Sequence, residues 1–440
     1  MFKRFITISE KSNQLRRTGS LNQITRHARL FSSTICKLDD VNEISKNSGF
    51  GTRAVHAGSH PDPVTGAVIA PISLSTTFAQ TAPSKPIGIY EYSRSSNPNR
   101  DNFEKCIASL ENAKYGLAFA SGSATIGTIV HSLNVGDEII SVADVYGGTH
   151  RYFTKVANNT GIKTFFSNNI ENELINLLNK NTKLIWIETP SNPTLTLTDI
   201  EKVSQIIKNF KKSNNITHDI KLVVDNTFLS PYIQNPLDQG ADIVIHSVTK
   251  YINGHSDVVM GVLATNSDKY YQELKFLQNA TGSVPSPFDS WLAHRGVKTL
   301  HLRVKRASDS ALAIAKYLSQ SPYVSKVSYP ALSSGPQHDI FVKQHNHQLG
   351  GGMISFRIKG GLKAANKFVS NTNIFALAES LGGIESLLEV PASMTHSGIS
   401  IEEREKSGVF DDLVRLSVGI EDQEDLIKDI EQALKIATTN

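Results

Sequence analysis

From about residue 100 the chain alternates short apolar runs with amphipathic segments, and this rhythm limits the possible folds more than any other feature. The runs "GLAFASG", "DEIISV", "KTFFS", "KLIWIETP", "KLVVDNTF", "ADIVIHS" and "VVMGVLAT" are rich in β-branched and aromatic residues. Between several of them, segments such as "IENELINLLNK" and "DIEKVSQIIKNF" repeat apolar residues at helical spacing. Strands alternating with helices predict an α/β fold with a mostly parallel seven-stranded sheet covered on both faces. Sites in such folds lie at the carboxyl ends of the strands. Asp101 with Glu104 three residues later marks a helix start, and Phe103, Cys106, Ile107 and Leu110 line one face of that helix.

At 440 residues the chain exceeds what one hydrophobic core organises. The pattern predicts a leading segment over 1–40, an extended arm over 41–98, a large domain over 99–300 and a smaller α+β domain over 301–440. The arm carries many Pro, Ser and Gly residues and no helix or strand rhythm. A long helix from about Asp289 to Leu318 leads into the small domain. That domain has strands near "KVSYP", "GGMISFRI" and "LVRLSVGIE", and a last helix at "EDLIKDIEQALKIA".

Charge is unevenly spread. Residues 1–37 hold eight Lys or Arg and the single acid Glu10, a net +7 against +4 for the whole chain, so the remainder is net −3. The mildly acidic body has no electrostatic footprint for nucleic acid. No apolar run approaches the roughly 20 residues that span a bilayer, so no membrane role is expected. The basic, hydroxyl-rich leader has the composition of a mitochondrial transit peptide, with "RLFSST" as a processing site. The alternative is a basic tail without an address, which would leave the protein cytoplasmic. Only Cys36 and Cys106 are present, too few for a disulfide framework or a cysteine-rich metal site.

Lys250 stands between the apolar runs Ala241–Ile245 and Val258–Leu263. An ammonium near a sheet core is costly unless paired or neutral, so Lys250 either reaches the surface or offers an amine of lowered pKa. Other polar residues gather at strand ends. Ser121-Gly122-Ser123 closes one strand and opens a helix, where N–H groups can cradle a phosphate. Asp225 ends "VVD", Glu188 and Asn192 lie in "IETPSNP", and Tyr146 precedes two glycines. Each alone has a plain structural reading as a turn, a cap or packing. Together they suggest pyridoxal 5'-phosphate, which needs a lysine anchor, an acid beside the pyridine nitrogen and a dianion site. Lys250 suits the first role and Asp225 the second. Ser247, Thr249 and the backbone at Gly122 and Ser123 suit the third, with Tyr146 lying on the ring. The histidines His246, His255 and His301 lack ligand spacing, so no metal site is expected.

The chain resembles the Cys/Met-metabolism family of fold-type I pyridoxal-phosphate enzymes from Phe50 to Ala437. The resemblance rests on "YSRSSNPNR", "VYGGTHRYF", "IETPSNP", "VVDNTF", "SVTKYINGHSDVVMG", "FLQNATGSVPSPFDSWLAHRGVKTLHLR", "ALAESLGGIESL" and "VRLSVGIED". It implies a homotetramer, a dimer of dimers, in which Tyr92 and Arg94 reach the partner's cofactor phosphate. It implies that Arg415 holds the α-carboxylate of a sulfur amino acid. Ser380 and Asn192 would assist, and Glu379 would help set specificity. It also implies that Lys250 moves protons, with Tyr146 or Lys250 protonating the departing sulfur. Ser123 departs from the Leu or Met usual in relatives. Gly148 stands where methionine γ-lyases carry a reactive cysteine. Among the family's reactions, "LQNATGSVPSPFD" and "HRGVKTLHLR" point to carbon–sulfur cleavage of L-cystathionine to L-cysteine, 2-oxobutyrate and ammonia. Cystathionine synthesis, cleavage on the β side and homocysteine-forming sulfhydrylation are the alternatives within the family, and a non-catalytic homologue kept for binding is the alternative outside catalysis.

Overall fold

The computed structural model describes residue 44, residues 47–62, 64–398 and 400–438. The basic leader analysed over 1–37 and the processing site within it lie outside the described residues. Seven strands form the main sheet: β1 (Tyr115–Phe119), β2 (Glu138–Val142), β3 (Lys163–Ser167), β4 (Thr182–Glu188), β5 (Lys221–Asp225), β6 (Ile243–Ser247) and β7 (Gly261–Thr265). Their order is β1-β7-β6-β5-β4-β2-β3. Neighbours from β6 through β3 are parallel, whereas β7 runs antiparallel to both β6 and β1. The expected seven-stranded α/β architecture is therefore present, with one reversed strand. Parallel strands covered on both faces should be continuously apolar, and Leu184 to Ile187 and Leu222 to Val224 are at most 1% exposed.

A second sheet comprises β8 (Val324–Ser328), β9 (Met353–Ile358), β10 (Ala376–Leu377), β11 (Leu387–Glu389) and β12 (Leu413–Ser417), in the order β8-β9-β12-β11-β10. The sequence pattern marks β8, β9 and β12 but misses β10 and β11, which are two and three residues long. Helices Leu300–Gln320 and Gln423–Thr438 pack against each other, the first against β8 and β9, around a separate core that includes Phe356, Phe368 and Leu434.

Three expectations need correction. The helix expected to start at Asp101 is α1 (Pro98–Leu110), because the Asn97 side chain caps it by accepting the Asn99 N–H at 2.9 Å and Pro98 fits its first turn. Glu104 does not reach back to that cap; it accepts the Ala118 N–H at 2.8 Å. The long helix from Asp289 is two helices, Pro287–Val297 and Leu300–Gln320. At their junction the Gly296 carbonyl accepts from Arg303 Nη2 at 2.9 Å and Thr299 Oγ1 at 3.2 Å. The arm is not wholly extended: it holds helix Phe50–His56 and a strand pair, Gln80–Ala82 with Lys85–Pro86. Among the described residues no helix is long and apolar enough to cross a membrane.

Candidate active site

The carboxyl ends of β4, β5 and β6 meet α2 (Gly122–Val130) and loops of the second sheet around a cavity of about 340 Å³. It is lined by Gly122, Ser123, Tyr146, Glu188, Asn192, Asp225, Ser247, Thr249, Lys250, Glu379, Ser380 and Arg415. The structure thus brings together every predicted site residue except Tyr92 and Arg94.

Lys250 follows β6 in a turn, and its Nζ lies 2.8 Å from Ser380 Oγ. Its pKa is lowered to about 8, first by burial and then by the Arg415 guanidinium, with Glu389 and Glu379 opposing. At about 1.4 kcal/mol per pKa unit, the ammonium form is about 3 kcal/mol less favoured here than on a solvated lysine. Of the two readings of this lysine, the nucleophilic amine is the one the geometry supports. Ser380 has φ of 105°, a left-handed conformation that a serine holds only under constraint. Its carbonyl accepts Arg415 Nη2 at 2.9 Å, which ties the Lys250 partner to the arginine.

Arg415 lies in β12, 3% exposed, with Nη1 3.0 Å from Asn192 Oδ1 and 3.0 Å from Glu389 Oε1. Glu389 is its cross-strand partner in β11 and also accepts from Thr395 Oγ1 at 2.9 Å. Sequence reasoning missed Glu389; a single acid inside "SLLEV" is the signal that marks it.

Asp225 ends β5. One carboxylate oxygen accepts the Thr227 N–H at 3.0 Å and its hydroxyl at 2.6 Å. That hydroxyl also accepts the Ser247 N–H at 2.9 Å. Thr227 was missed too, although an Asp with Thr two residues on is the spacing of an Asx turn. Burial raises the Asp225 carboxyl, while Thr227 and then His246 oppose it. His246 Nε2 lies 2.5 Å from Glu111 Oε1, and His255 Nδ1 2.7 Å from the Asn253 carbonyl. His301 stands 6.1 Å from the Phe50 ring. Among the described residues no group of three or more His, Cys, Asp or Glu is arranged to hold a metal.

At the amino end of α2 the Ser121 side chain accepts the Ala124 N–H at 3.0 Å. The first helical N–H groups, those of Gly122 and Ser123, have no intrahelical acceptor. A Cβ on Gly122 would stand 3.3 Å from Ser247 Cβ, so glycine keeps this approach close. The Thr249 hydroxyl contacts the Met260 backbone, accepting its N–H at 3.0 Å. Tyr146 is 43% exposed at the cavity, and a Cβ on Gly148 would come within 2.3 Å of its ring. Tyr92 and Arg94 lie elsewhere: Arg94 stacks over Tyr92 at 5.6 Å and donates to the Asn279 carbonyl at 2.8 Å.

A lowered amine, a half-buried acid at a strand end and free helix N–H groups around one cavity fit pyridoxal phosphate. The family described as Cys/Met metabolism PLP-dependent enzyme matches residues 51–435. The chain belongs to this family. It is a pyridoxal-phosphate-dependent carbon–sulfur lyase, and the expected cofactor is borne out. Cystathionine gamma-lyase of Saccharomyces cerevisiae is 63% identical over 396 residues, 90% of this chain and 99% of that protein. The Homo sapiens cystathionine gamma-lyase is 50% identical over 390 residues, 88% of this chain and 94% of that protein. The crystal structure of the yeast enzyme superposes with a TM-score of 0.86, covering 90% of this chain and 100% of that one. That of cystathionine gamma-lyase from Lactobacillus plantarum complexed with L-serine, 40% identical, gives 0.84 over 89% of this chain and 100% of that one.

The lowered amine makes a prediction about cofactor loading. Covalent attachment of pyridoxal phosphate to the apoprotein, followed by absorbance and borohydride trapping, should accelerate as pH rises and level off above about 8. The neutral fraction of Lys250 is what increases over that range. A rate still climbing near pH 10, as for a solvated lysine, would contradict a lowered amine.

Proposed function

We propose that the protein cleaves L-cystathionine with water to L-cysteine, 2-oxobutyrate and ammonia. The observation that carries this reading is the anion site at Arg415 beside the Lys250 amine, whose pKa is lowered. The 63% identity to the yeast cystathionine gamma-lyase supports the choice of substrate. When bound, pyridoxal phosphate supplies an electron sink for negative charge that develops on the substrate. The Arg415 guanidinium, held by Glu389 and Asn192, offers a planar bidentate surface to the α-carboxylate. The Lys250 amine takes and returns a proton at the substrate carbons within its reach, with the Ser380 hydroxyl fixing its position. The exposed Tyr146 hydroxyl or Lys250 protonates the departing sulfur. Ser247, Thr249, Gly122 and Ser123 would hold the phosphate, Asp225 the ring nitrogen. Glu379, exposed at the cavity, would meet the far end of the substrate.

The purified enzyme given L-cystathionine should release 2-oxobutyrate and cysteine in equal amounts. Lys250→Ala should lower turnover by at least about 10³-fold through loss of the amine as nucleophile and proton carrier. Pyruvate with homocysteine as products, or a variant within tenfold of the wild type, would overturn the assignment.

The assembly we propose is a homotetramer built from two dimers, with Tyr92 and Arg94 serving the partner's cofactor phosphate. The arm exposes Val64, Val68, Leu74, Ile87 and Ile89, an apolar set that a second copy would cover. Arg94→Ala and Lys250→Ala subunits, each inactive alone, should regain activity when mixed, because some sites then carry both residues. Verified mixed dimers without activity would mean that each site is built from one chain.

The leader lies ahead of the family match at 51–435, and we propose that it directs the chain to the mitochondrial matrix. Its support is the net +7 charge with a single acid over residues 1–37. A tagged full-length protein should co-fractionate with mitochondria and begin near Ser32 to Asp40. Cytosolic protein that retains residues 1–37 would refute this.

A further inference from the structure

β4 and β5 are parallel neighbours whose last residues pair in register, Glu188 against Asp225. Two carboxyl groups therefore end side by side at the floor of the cavity, where two full negative charges would repel strongly. Their surroundings are unequal. Asp225 receives two hydrogen bonds from Thr227, and His246 lies near enough on β6 to favour its charge. Glu188, 5% exposed, receives the Tyr146 N–H on Oε2 at 2.8 Å. The other charged groups that act on it are Asp144, beyond β2, which opposes ionisation, and Arg415 on β12, which favours it. Burial first, and Asp225 next, push the Glu188 carboxyl well above the usual carboxylate range. Asp144 is itself held by the hydroxyls of Ser191 and Thr194.

Glu188 also occupies a boundary. Among the described residues it alone lines both the cofactor cavity and a second cavity of about 520 Å³ that includes Asp144, Ser191 and Thr194.

We propose that Glu188 is a positioning residue whose carboxyl carries a proton, fixes the Tyr146 backbone at the cofactor cavity, and leaves the negative charge of the pair on Asp225. This rests on the reading of Asp225 as the partner of the ring nitrogen. With the proton on Glu188, Asp225 keeps its charge for a pyridinium N–H, and the Tyr146 ring keeps its place at the cavity.

Infrared difference spectra of wild type against Glu188→Gln, in both apo and loaded protein, test the proton directly. A protonated-carboxyl C=O stretch should be present in the wild type and missing in the variant. If no such band is lost, Glu188 is ionised and the proposal fails. Cofactor affinity of the apoproteins gives a second readout. Glu188→Gln keeps an acceptor for the Tyr146 N–H and should bind pyridoxal phosphate within about threefold of wild type, whereas Glu188→Ala should lose about tenfold. Equal losses in the two folded variants would mean that the charge of Glu188 is what the site needs. Asp225→Asn tests the underlying reading separately. Unchanged cofactor affinity and absorption there would remove Asp225 from the ring nitrogen, whatever Glu188 does.

Discussion

Lys250 follows a strand whose residues Ile243 to Ile245 are at most 1% exposed, so its amine emerges where an ammonium is poorly solvated. The neighbouring geometry exploits that constraint. Arg415 comes from the second sheet, and its positive charge further disfavours protonation of the lysine. The same guanidinium is shaped to bind a carboxylate, so one residue tunes the nucleophile and receives the substrate. Its own burial is offset by Glu389, by the Asn192 side chain and by the Ser380 carbonyl. Glu389 opposes the effect of Arg415 on Lys250, which leaves an amine near neutrality rather than one depressed far below it.

The loop that carries the lysine is fixed by close packing rather than by regular structure. Arg303 donates to the carbonyls of Tyr251 at 2.7 Å, Ile252 at 3.1 Å and Gly296 at 2.9 Å. Gly254, at φ of 73°, sits so near that a Cβ would meet Arg303 Nη1 at 2.0 Å. Gly296 similarly lets its helix approach the Asn253 carbonyl, where a Cβ would stand at 2.3 Å. This clamp spans the junction of helices Pro287–Val297 and Leu300–Gln320, so the entry to the small unit and the anchor of the lysine are one piece of packing. A reactive amine needs such support, because a displacement of about 1 Å can cost about 100-fold in rate.

Much of the site was legible because strand ends in a parallel sheet gather at one edge. Once the apolar runs are placed, Glu188, Asp225 and Ser247 fall at the same edge of the sheet, in an order the runs do not give. The roles of Arg415, Ser380, Asn192 and Glu379 came through family resemblance, since an arginine in a short strand carries no local sign of its ligand. Glu389 and Thr395 went unread because their meaning lies in partners, not in spacing. The same holds for Asp144, which comes close to Glu188 only when β2 and β4 are neighbours.

By itself the sequence determined the alternation of strands and helices, the parallel sheet and the edge on which the chemistry sits. Those follow from periodicity and apolar composition, which act over a few residues. The tertiary structure decided what no local pattern encodes. It broke the expected long helix after Val297, where Gly296 meets Asn253, and it added β10 and β11, too short to show a period. It reversed β7 between two neighbours and set Arg415 opposite Glu389. It also placed Glu188 beside Asp225. The physical reason is the same in each case: desolvation and close contact depend on which distant segments exclude water from a group, and that is known only when the chain has folded.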